Sequence, residues 1–300
     1  MGKIQSSSTP VFQHPEAVAM RIIEKIQEMR SWSESERYAG KRVVLVPTMG
    51  FLHEGHLSLV REGMKRGDDL VVSVFVNPTQ FAPHEDFGAY PRDLERDRRL
   101  LEGEGVDVLF HPSRDEMYTS GHQTHVVVER LGSLLCGAFR PGHFVGVATV
   151  VAKLFNIVKP HVAVFGAKDY QQLQLLRRMV EDLSVDVEVV AHPVVRESDG
   201  LAMSSRNAYL SHDERMAALC LSRSLKEAEA LVNQGERSSE RIIASVRAEI
   251  NKEPLTRIEY VSLCHPCSLE AMQKIEGEAL LALAVWIGNT RLIDNILLKA

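Results

Sequence analysis

The sequence predicts an α/β protein, a parallel sheet covered by helices and followed by a smaller α+β unit. Three observations carry this. Short apolar strand-like runs alternate with helical stretches through residues 41–190, the order of repeated βα units. Past residue 210 two long charged helical stretches come first, and three strand-like runs then follow with no helix between them, which suggests a small antiparallel sheet. The chain has 300 residues, 45% of them apolar and 25% charged, enough for a sizeable core and about twice a typical domain. Two units are therefore expected, 1–193 and 194–300, with Asp199-Gly200 as a turn at a hinge between them.

Taken in order, Glu16 to Met29 carries Val18, Ile22, Ile23 and Ile26 and predicts an amphipathic helix. Lys41 to Val46 is the first buried strand, His56 to Lys65 a helix, and Leu70 to Val76 a second strand. Pro91 to Gly103 is a charged helix and Val106 to Phe110 a third strand. Pro112 to Gly142 is rich in loops. Val145 to Val158 reads as a mostly buried helix, and Val162 to Phe165 as a short strand that Gly166 ends. Tyr170 to Asp182 is helix and Val185 to Val190 strand, closing the first unit near Pro193. In the second unit, Asp213 to Asn233 and Ser239 to Ile250 are helices, and Arg257 to Leu263, Ala279 to Trp286 and Arg291 to Leu297 are strands.

A net charge of −5 lacks the basic footprint of a nucleic-acid binder, so no nucleic-acid partner is expected. Lys153 and Lys159 interrupt the longest apolar run, so no membrane span is expected. Without a basic segment leading into an apolar one there is no secretion signal, and a cytoplasmic protein is the expectation. Cys136, Cys220, Cys264 and Cys267 are too few for a disulfide framework in this length and are expected to stay reduced. Cys264-His265-Pro266-Cys267 has CxxC spacing, but a structural zinc site needs a second ligand pair, and a strand-to-loop exit accounts for the spacing. Met1-Gly2 with Ser6 fits a myristoylation pattern and is read as coincidence.

The chemistry gathers where strands end. Val43-Val44-Leu45-Val46 runs into Pro47-Thr48-Met49-Gly50-Phe51-Leu52-His53-Glu54-Gly55-His56, two imidazoles three residues apart at a strand-to-helix handover. There a helix offers unpaired N–H groups and its positive dipole end to an anion, and the spacing puts both rings on one face. This reads as an HxGH nucleotide site. A zinc protease would need histidines four apart, and the bland alternative is that the two rings only cap a helix start. Asn77-Pro78-Thr79-Gln80 puts two amides after the second strand, suited to an uncharged hydroxylated substrate or to a turn. Gly166-Ala167-Lys168-Asp169, then Gln171-Gln172, brings a phosphate-neutralising lysine and an acid that caps a helix or holds a ribose hydroxyl. Met203-Ser204-Ser205-Arg206-Asn207 is a phosphate clamp or a solvated turn. His143, between Gly142 and Phe144, is a ligand or a helix cap.

Seven ordered segments together resemble the pantoate:β-alanine ligase family: VPTMGFLHEGHLSLV from Val46, VFVNPTQF from Val74, EDFGAYPRD from Glu85, RPGHFVGVATVVAKLFNIVKP from Arg140, FGAKDYQQL from Phe165, DGLAMSSRNAYL from Asp199 and TRLIDN from Thr290. The resemblance spans nearly the whole chain. It implies a Rossmann-type first domain related to class I aminoacyl-tRNA synthetases, a C-terminal lid domain and a homodimer. It also implies two half-reactions, in which (R)-pantoate attacks the α-phosphorus of ATP to give pantoyl adenylate and pyrophosphate, and β-alanine then displaces AMP.

Carried over residue by residue, the family pattern implies ATP binding by Met49, Gly50, Phe51, Leu52, His53, Glu54, Gly55, His56, Gly166, Ala167, Lys168, Asp169, Val195, Met203, Ser204, Ser205 and Arg206. His53, His56, Lys168, Ser204, Ser205 and Arg206 would stabilise charge on the phosphates. Pantoate would lie between Gln80 and Gln172, with Asn77 and His143 nearby. Mg2+ should arrive with ATP, and Asp97 is its candidate protein ligand. Ala167 stands where the family commonly has Glu, and Arg96 where an acid often precedes Asp97. The first dozen residues are an extension relative to the family. A nucleotidylyltransferase sharing the HxGH site and a nonenzymatic nucleotide sensor are the competing readings.

Overall fold

The computed structural model describes residues 19–83 and 85–300. The Met1-Gly2 pattern, the N-terminal extension and the start of the helix expected from Glu16 lie outside them. Strands β1 (Arg21–Ile23), β2 (Val43–Thr48), β3 (Asp69–Val74), β4 (Val108–Phe110), β5 (Val162–Gly166) and β6 (Glu188–His192) form one sheet in the order β1-β4-β3-β2-β5-β6, every neighbour parallel. The intervening helices are α1 (Ile26–Tyr38), α2 (Glu54–Met64), α3 (Leu94–Glu104), the short α4 (Arg114–Met117), α5 (Glu129–Ser133) and α6 (Cys136–Phe139), then α7 (His143–Val158) and α8 (Tyr170–Asp182).

Both faces of the sheet are covered, and the pleat decides which residue serves which face. Val43 and Leu45 pack with Met29 of α1 and Val147 and Leu154 of α7, whereas Val44 and Val46 pack with Leu59 and Val60 of α2 and Leu101 of α3. Successive side chains on a strand point to opposite faces, so a strand buried on both reads as the continuous apolar run seen in the sequence.

The helix expected over Glu16–Met29 is corrected. Arg21–Ile23 is instead an edge strand paired with Val108–Phe110, and the helix begins at Ile26 and runs to Tyr38. Ile22 is 41% exposed and Ile23 fully buried, an alternation of period two that a helical count of Ile22, Ile23 and Ile26 mistakes for one face. Residues 30–38 are mostly polar, and Met29 and Ser33 are the buried residues of α1.

After β6 come α9 (His212–Asn233) and α10 (Ser239–Ile250), then the antiparallel sheet β7 (Thr256–Cys264), β8 (Glu278–Ile287), β9 (Thr290–Lys299). Leu281, Leu283 and Val285 of β8 pack with Leu221, Leu225 and Val246 of the two helices. Leu280 and Ala282, one residue out of phase, join the core that holds Phe144 and Leu173. The second sheet is thus clamped between its own helices and the first unit. Among the described residues no helix is long and apolar enough to cross a membrane.

Gly146 lets α7 touch the turn Pro78–Gln80. A Cβ there would lie 2.4 Å from the Thr79 carbonyl oxygen. Gly146→Ala is expected to destabilise by about 1–3 kcal/mol, as overpacking does. The check is urea unfolding, where the midpoint should drop at unchanged slope.

Candidate active site

The chain runs from β2 outward through β3 and β4 on one side, then returns to place β5 and β6 on the other side of β2. Such a reversal opens a crevice beyond the carboxyl ends of the two strands flanking it, here β2 and β5. The loops that leave them carry the HxGH motif and Lys168.

The β2–α2 loop is held from outside. The Thr48 hydroxyl donates to the Ser73 carbonyl at 2.9 Å and accepts from the Gly50 N–H at 3.2 Å. Gly50 sits at φ 80°, and a Cβ would meet Val74 at 2.9 Å and the Asp97 carboxylate at 3.0 Å, so only glycine fits. Asp97, on α3 and 1% exposed, accepts from the N–H groups of Phe51 and Leu52, both at 2.7 Å. These bonds hold Phe51 at φ 50°, a conformation disfavoured for a side-chain-bearing residue. Asp97, the expected magnesium ligand, thus has each oxygen accepting from a main-chain donor of the HxGH loop.

α2 then opens with the histidine pair. Their ring centroids are 4.0 Å apart, tilted by 32°. The His53 N–H donates to His56 Nδ1 over a long 3.4 Å, so Nε2 carries the proton of the neutral His56 ring. Among the described residues His53 Nδ1 has no hydrogen-bond partner. The Gly55 N–H, one of the free donors at the helix start, points at the Met203 sulfur at 3.1 Å. Burial pushes the His53 imidazole down to about 4, with the Lys168 ammonium acting in the same direction. Burial, then His53 and Lys168, likewise hold His56 well below the usual range. Both rings are neutral at rest.

On the other side of the crevice, β5 passes through the 3-10 turn Ala167–Asp169 into α8. Lys168 is largely buried, and its only acidic neighbour within salt-bridge range among the described residues is Asp169, at 3.9 Å. Asp169 is half exposed and makes no side-chain cap to α8. Gln172 lines both cavities of the crevice, while the Gln171 amide, at the larger one alone, ties the Leu131–Cys136 segment through Leu131 O, Leu134 O and the Cys136 N–H.

Gln80 lies in the floor, its side-chain amide donating to the Met49 sulfur at 3.0 Å and accepting from Asn77 at 3.0 Å. Asn77 is 1% exposed; its amide also donates to Gly146 O, and its oxygen accepts from the hydroxyls of Thr79 and Tyr118. Its polar atoms are bonded inside the protein, where they support Gln80 beside the cavity that both residues line. His143, which lines both cavities, is held in the same way. Nδ1 donates to the Gln80 carbonyl at 2.8 Å and Nε2 accepts from Arg140 at 3.2 Å, leaving neither nitrogen free. Burial, assisted by Arg140, pushes this imidazole down to about 4. Arg140 is in turn gripped by Glu85 at 2.6 and 2.7 Å.

The Met203–Arg206 loop closes the crevice. Ser204 accepts from the Arg206 N–H at 3.3 Å, and the Ser205 hydroxyl donates to Phe51 O at 3.3 Å. Arg206 lies over the Tyr90 ring, 5.7 Å from its centroid, and two of its nitrogens donate to Asp86 at 2.8 and 2.9 Å.

Two contiguous cavities result. One of about 230 Å³ is lined by Met49, His53, Gly55, His56, Gln80, Gly166, Lys168, Asp169, Gln172, Val195, Met203 and Ser204 to Arg206. A larger one of about 600 Å³ shares Arg140, His143, Lys168, Asp169, Gln172, Ser204 and Arg206 and extends toward Arg291 and Asn295. Five of the residues expected to contact ATP, Gly50, Phe51, Leu52, Glu54 and Ala167, line neither cavity. Leu52 is fully buried in the core, Phe51 lies under Arg96, Glu54 pairs with Arg61, and Ala167 packs on the core. Sequence reasoning missed Asp86, Glu85, Tyr90, Asp294 and Asn295. All lie in EDFGAYPRD or TRLIDN, segments that were informative as a pattern while giving no role. Among the described residues no three His, Cys, Asp or Glu side chains gather as metal ligands. Cys264 is buried at the end of β7 and Cys267 exposed in the turn beyond it, and all four cysteines are free.

A family model described as pantoate-beta-alanine ligase matches residues 21–297. A pantothenate synthetase from Syntrophus aciditrophicus is 56% identical over 276 residues, covering 92% of this chain and 96% of that protein. The crystal structure of pantothenate synthetase from Thermus thermophilus is 46% identical, covers 92% of this chain and 99% of that one, and superposes with a TM-score of 0.88. The pantoate-beta-alanine ligase from Francisella tularensis, solved in complex with beta-gamma ATP and beta-alanine, is 33% identical with a TM-score of 0.77, covering 93% and 98%.

The depressed imidazoles make stability depend on pH. Unfolded histidines protonate as pH falls through about 6.5, whereas folded His53 and His143 do so only near 4. Between those values the unfolded chain holds more protons, so stability falls as pH drops across the window. The urea midpoint is expected to fall from pH 6.5 to 4.5, and to fall less steeply in His53→Gln.

Proposed function

The chain belongs to the pantoate-β-alanine ligase family, and we propose that the crevice between β2 and β5 is where it carries out the ATP-dependent condensation of (R)-pantoate with β-alanine through pantoyl adenylate. One observation carries the assignment: uncharged Gln80 and Gln172 share a cavity with Lys168 and two neutral imidazoles. Amides suit a hydroxylated acid, and the cationic and N–H donors suit a triphosphate.

The pantoate carboxylate is ionised at pH 7, so its attack on the α-phosphorus needs alignment and charge stabilisation more than a base. In this reading neutral His56 donates from Nε2 to a phosphate oxygen, and the negative charge of ATP raises both depressed imidazoles, favouring their protonation as pyrophosphate leaves. The Gly55 N–H exchanges its sulfur partner, a poor acceptor, for a phosphate oxygen at the helix start. Lys168, Ser204 and Ser205 hold the β- and γ-phosphates, and Arg206 keeps its bond to Asp86 while offering its remaining N–H groups. The ATP base and ribose lie along Met49, Gly50, Gly166, Asp169 and Val195.

With Asp97 committed to the loop, magnesium enters as part of the ATP substrate, held by phosphate oxygens and water with one carboxylate at most. In the second half-reaction the β-alanine amine attacks the acyl carbon, the C–N bond forms, and AMP leaves with the electrons of the acyl–oxygen bond. Closure over the adenylate would exclude competing water. In this reading the chain divides at residues 193/194, and the second unit closes as a lid. The place of action is the cytoplasm.

Pantoate is expected to drive exchange of labelled pyrophosphate into ATP without β-alanine, and AMP should accumulate once β-alanine is added. Absence of both overturns the assignment. His56→Ala should lose adenylation by about a hundredfold or more, as removal of one preorganised donor does; near-normal turnover would leave His56 as a helix cap. We further propose a homodimer, for which light scattering should give twice 33.6 kDa; a monomer mass would refute it.

A further inference from the structure

The Lys168 turn is fastened by a residue from the other sheet. Asn295, on β9 and 7% exposed, donates its side-chain amide to two consecutive carbonyls, Ala167 O at 3.1 Å and Lys168 O at 2.8 Å. Both N–H groups of the amide are thereby used. Its neighbour Asp294, 2% exposed, receives Arg196 in two bonds of 2.6 and 3.0 Å and also accepts the Asn295 N–H at 2.8 Å. Arg196 in turn donates to Gly200 O at 3.2 Å and stands one residue after Val195, whose carbonyl accepts from the Met203 N–H at 2.9 Å. Two adjacent residues of one edge strand therefore fix both loops that bring cations to the crevice: the turn bearing Lys168 and the segment leading to Ser204, Ser205 and Arg206.

The tie matters because Lys168 has little else to define it. Its ammonium has a single acidic neighbour among the described residues, at 3.9 Å, in contrast to the doubly bonded Arg140 and Arg206. A lysine presents a point charge on a flexible stem, so its location depends on where its main chain is held. The bonds from Asn295 run to carbonyls of that very turn.

We propose that Asn295, supported by Asp294, is a positioning residue for adenylation, holding the Lys168 turn from the second sheet so that the ammonium meets the leaving phosphates. The proposal rests on the reading that Lys168 binds those phosphates. Its chemical signature is selective. Pyrophosphate forms in the first half-reaction alone, so loosening Lys168 should slow adenylation and spare aminolysis.

The test uses the full-length protein and two assays, pantoate-dependent exchange of pyrophosphate into ATP, and β-alanine attack on preformed pantoyl adenylate. Asn295→Ala is expected to slow exchange about tenfold to a hundredfold, the scale of a small misplacement of a catalytic group. Aminolysis should stay within about twofold of wild type, and adding Asn295→Ala to Lys168→Ala should slow exchange by less than about twofold more, since the two act through one group. Equal losses in both half-reactions, full additivity with Lys168→Ala, or unchanged exchange would each overturn the proposal. Circular dichroism identifies folded variants. If Asn295→Ala does not fold, Asn295→Ser, which keeps one donor, decides by the same assays, and failure of both to fold means a purely structural role. Absence of exchange in the wild type would instead strike the functional reading itself.

Discussion

The parallel pairing of β2 with β5, Val44 against Val162 and Leu45 against Ala163, is the constraint on which the site depends. These strands are far apart along the chain, and their pairing sets two loops side by side at one edge of the sheet. Each strand is buried on both faces, so neither can slip by one residue without turning its side chains into the wrong layer. The register therefore fixes where His53 and His56 stand relative to Lys168. Without it the two loops are separate fragments with no common ligand.

Electrostatics around the crevice follow from burial. Arg140, Arg206 and Arg196 each have a carboxylate at hydrogen-bond distance, Glu85, Asp86 and Asp294, so their charges are held in fixed geometry. A buried guanidinium with its acid retains N–H groups on its outer edge and stays oriented. The histidines take the other course, and burial beside cations keeps them neutral. An incoming triphosphate supplies the negative charge that such imidazoles lack, which couples occupancy to their protonation. Asp97 follows the same logic, its buried carboxylate holding the main chain of the HxGH loop.

Most elements are legible in the sequence because their periodicity reports burial. Strands covered on both faces appear as unbroken apolar runs, and α8 and α10 begin and end at the residues the pattern indicates. β1 escapes the pattern because Ile22 and Ile23 lie on an edge, where one faces out, and three residues cannot establish a period. In the site, His53, His56, Gln80, Lys168, Gln172, Ser204 and Arg206 stand out by residue type at strand ends, and they do line one cavity. Asn77, His143 and Asp97 are equally plausible by type. Their bonding partners lie 46 to 69 residues away in the chain for the decisive contacts Asp97–Phe51, His143–Gln80 and Asn77–Gly146, and no local pattern encodes those.

By itself the sequence determined the alternation of strand and helix, the placing of polar groups where buried strands end, and a pattern specific enough to mark the family. These are local properties, set by side-chain hydrophobicity, backbone preference and spacing. The tertiary structure alone decided which polar groups remain free for a ligand and which are consumed in holding others. Asn295 shows the difference: as sequence it is one polar residue in a strand, and it acquires a role only because β9 lies against the carbonyls of Ala167 and Lys168. Hydrogen bonds satisfy whatever the fold brings within about 3 Å, and that proximity is a property of the packed chain.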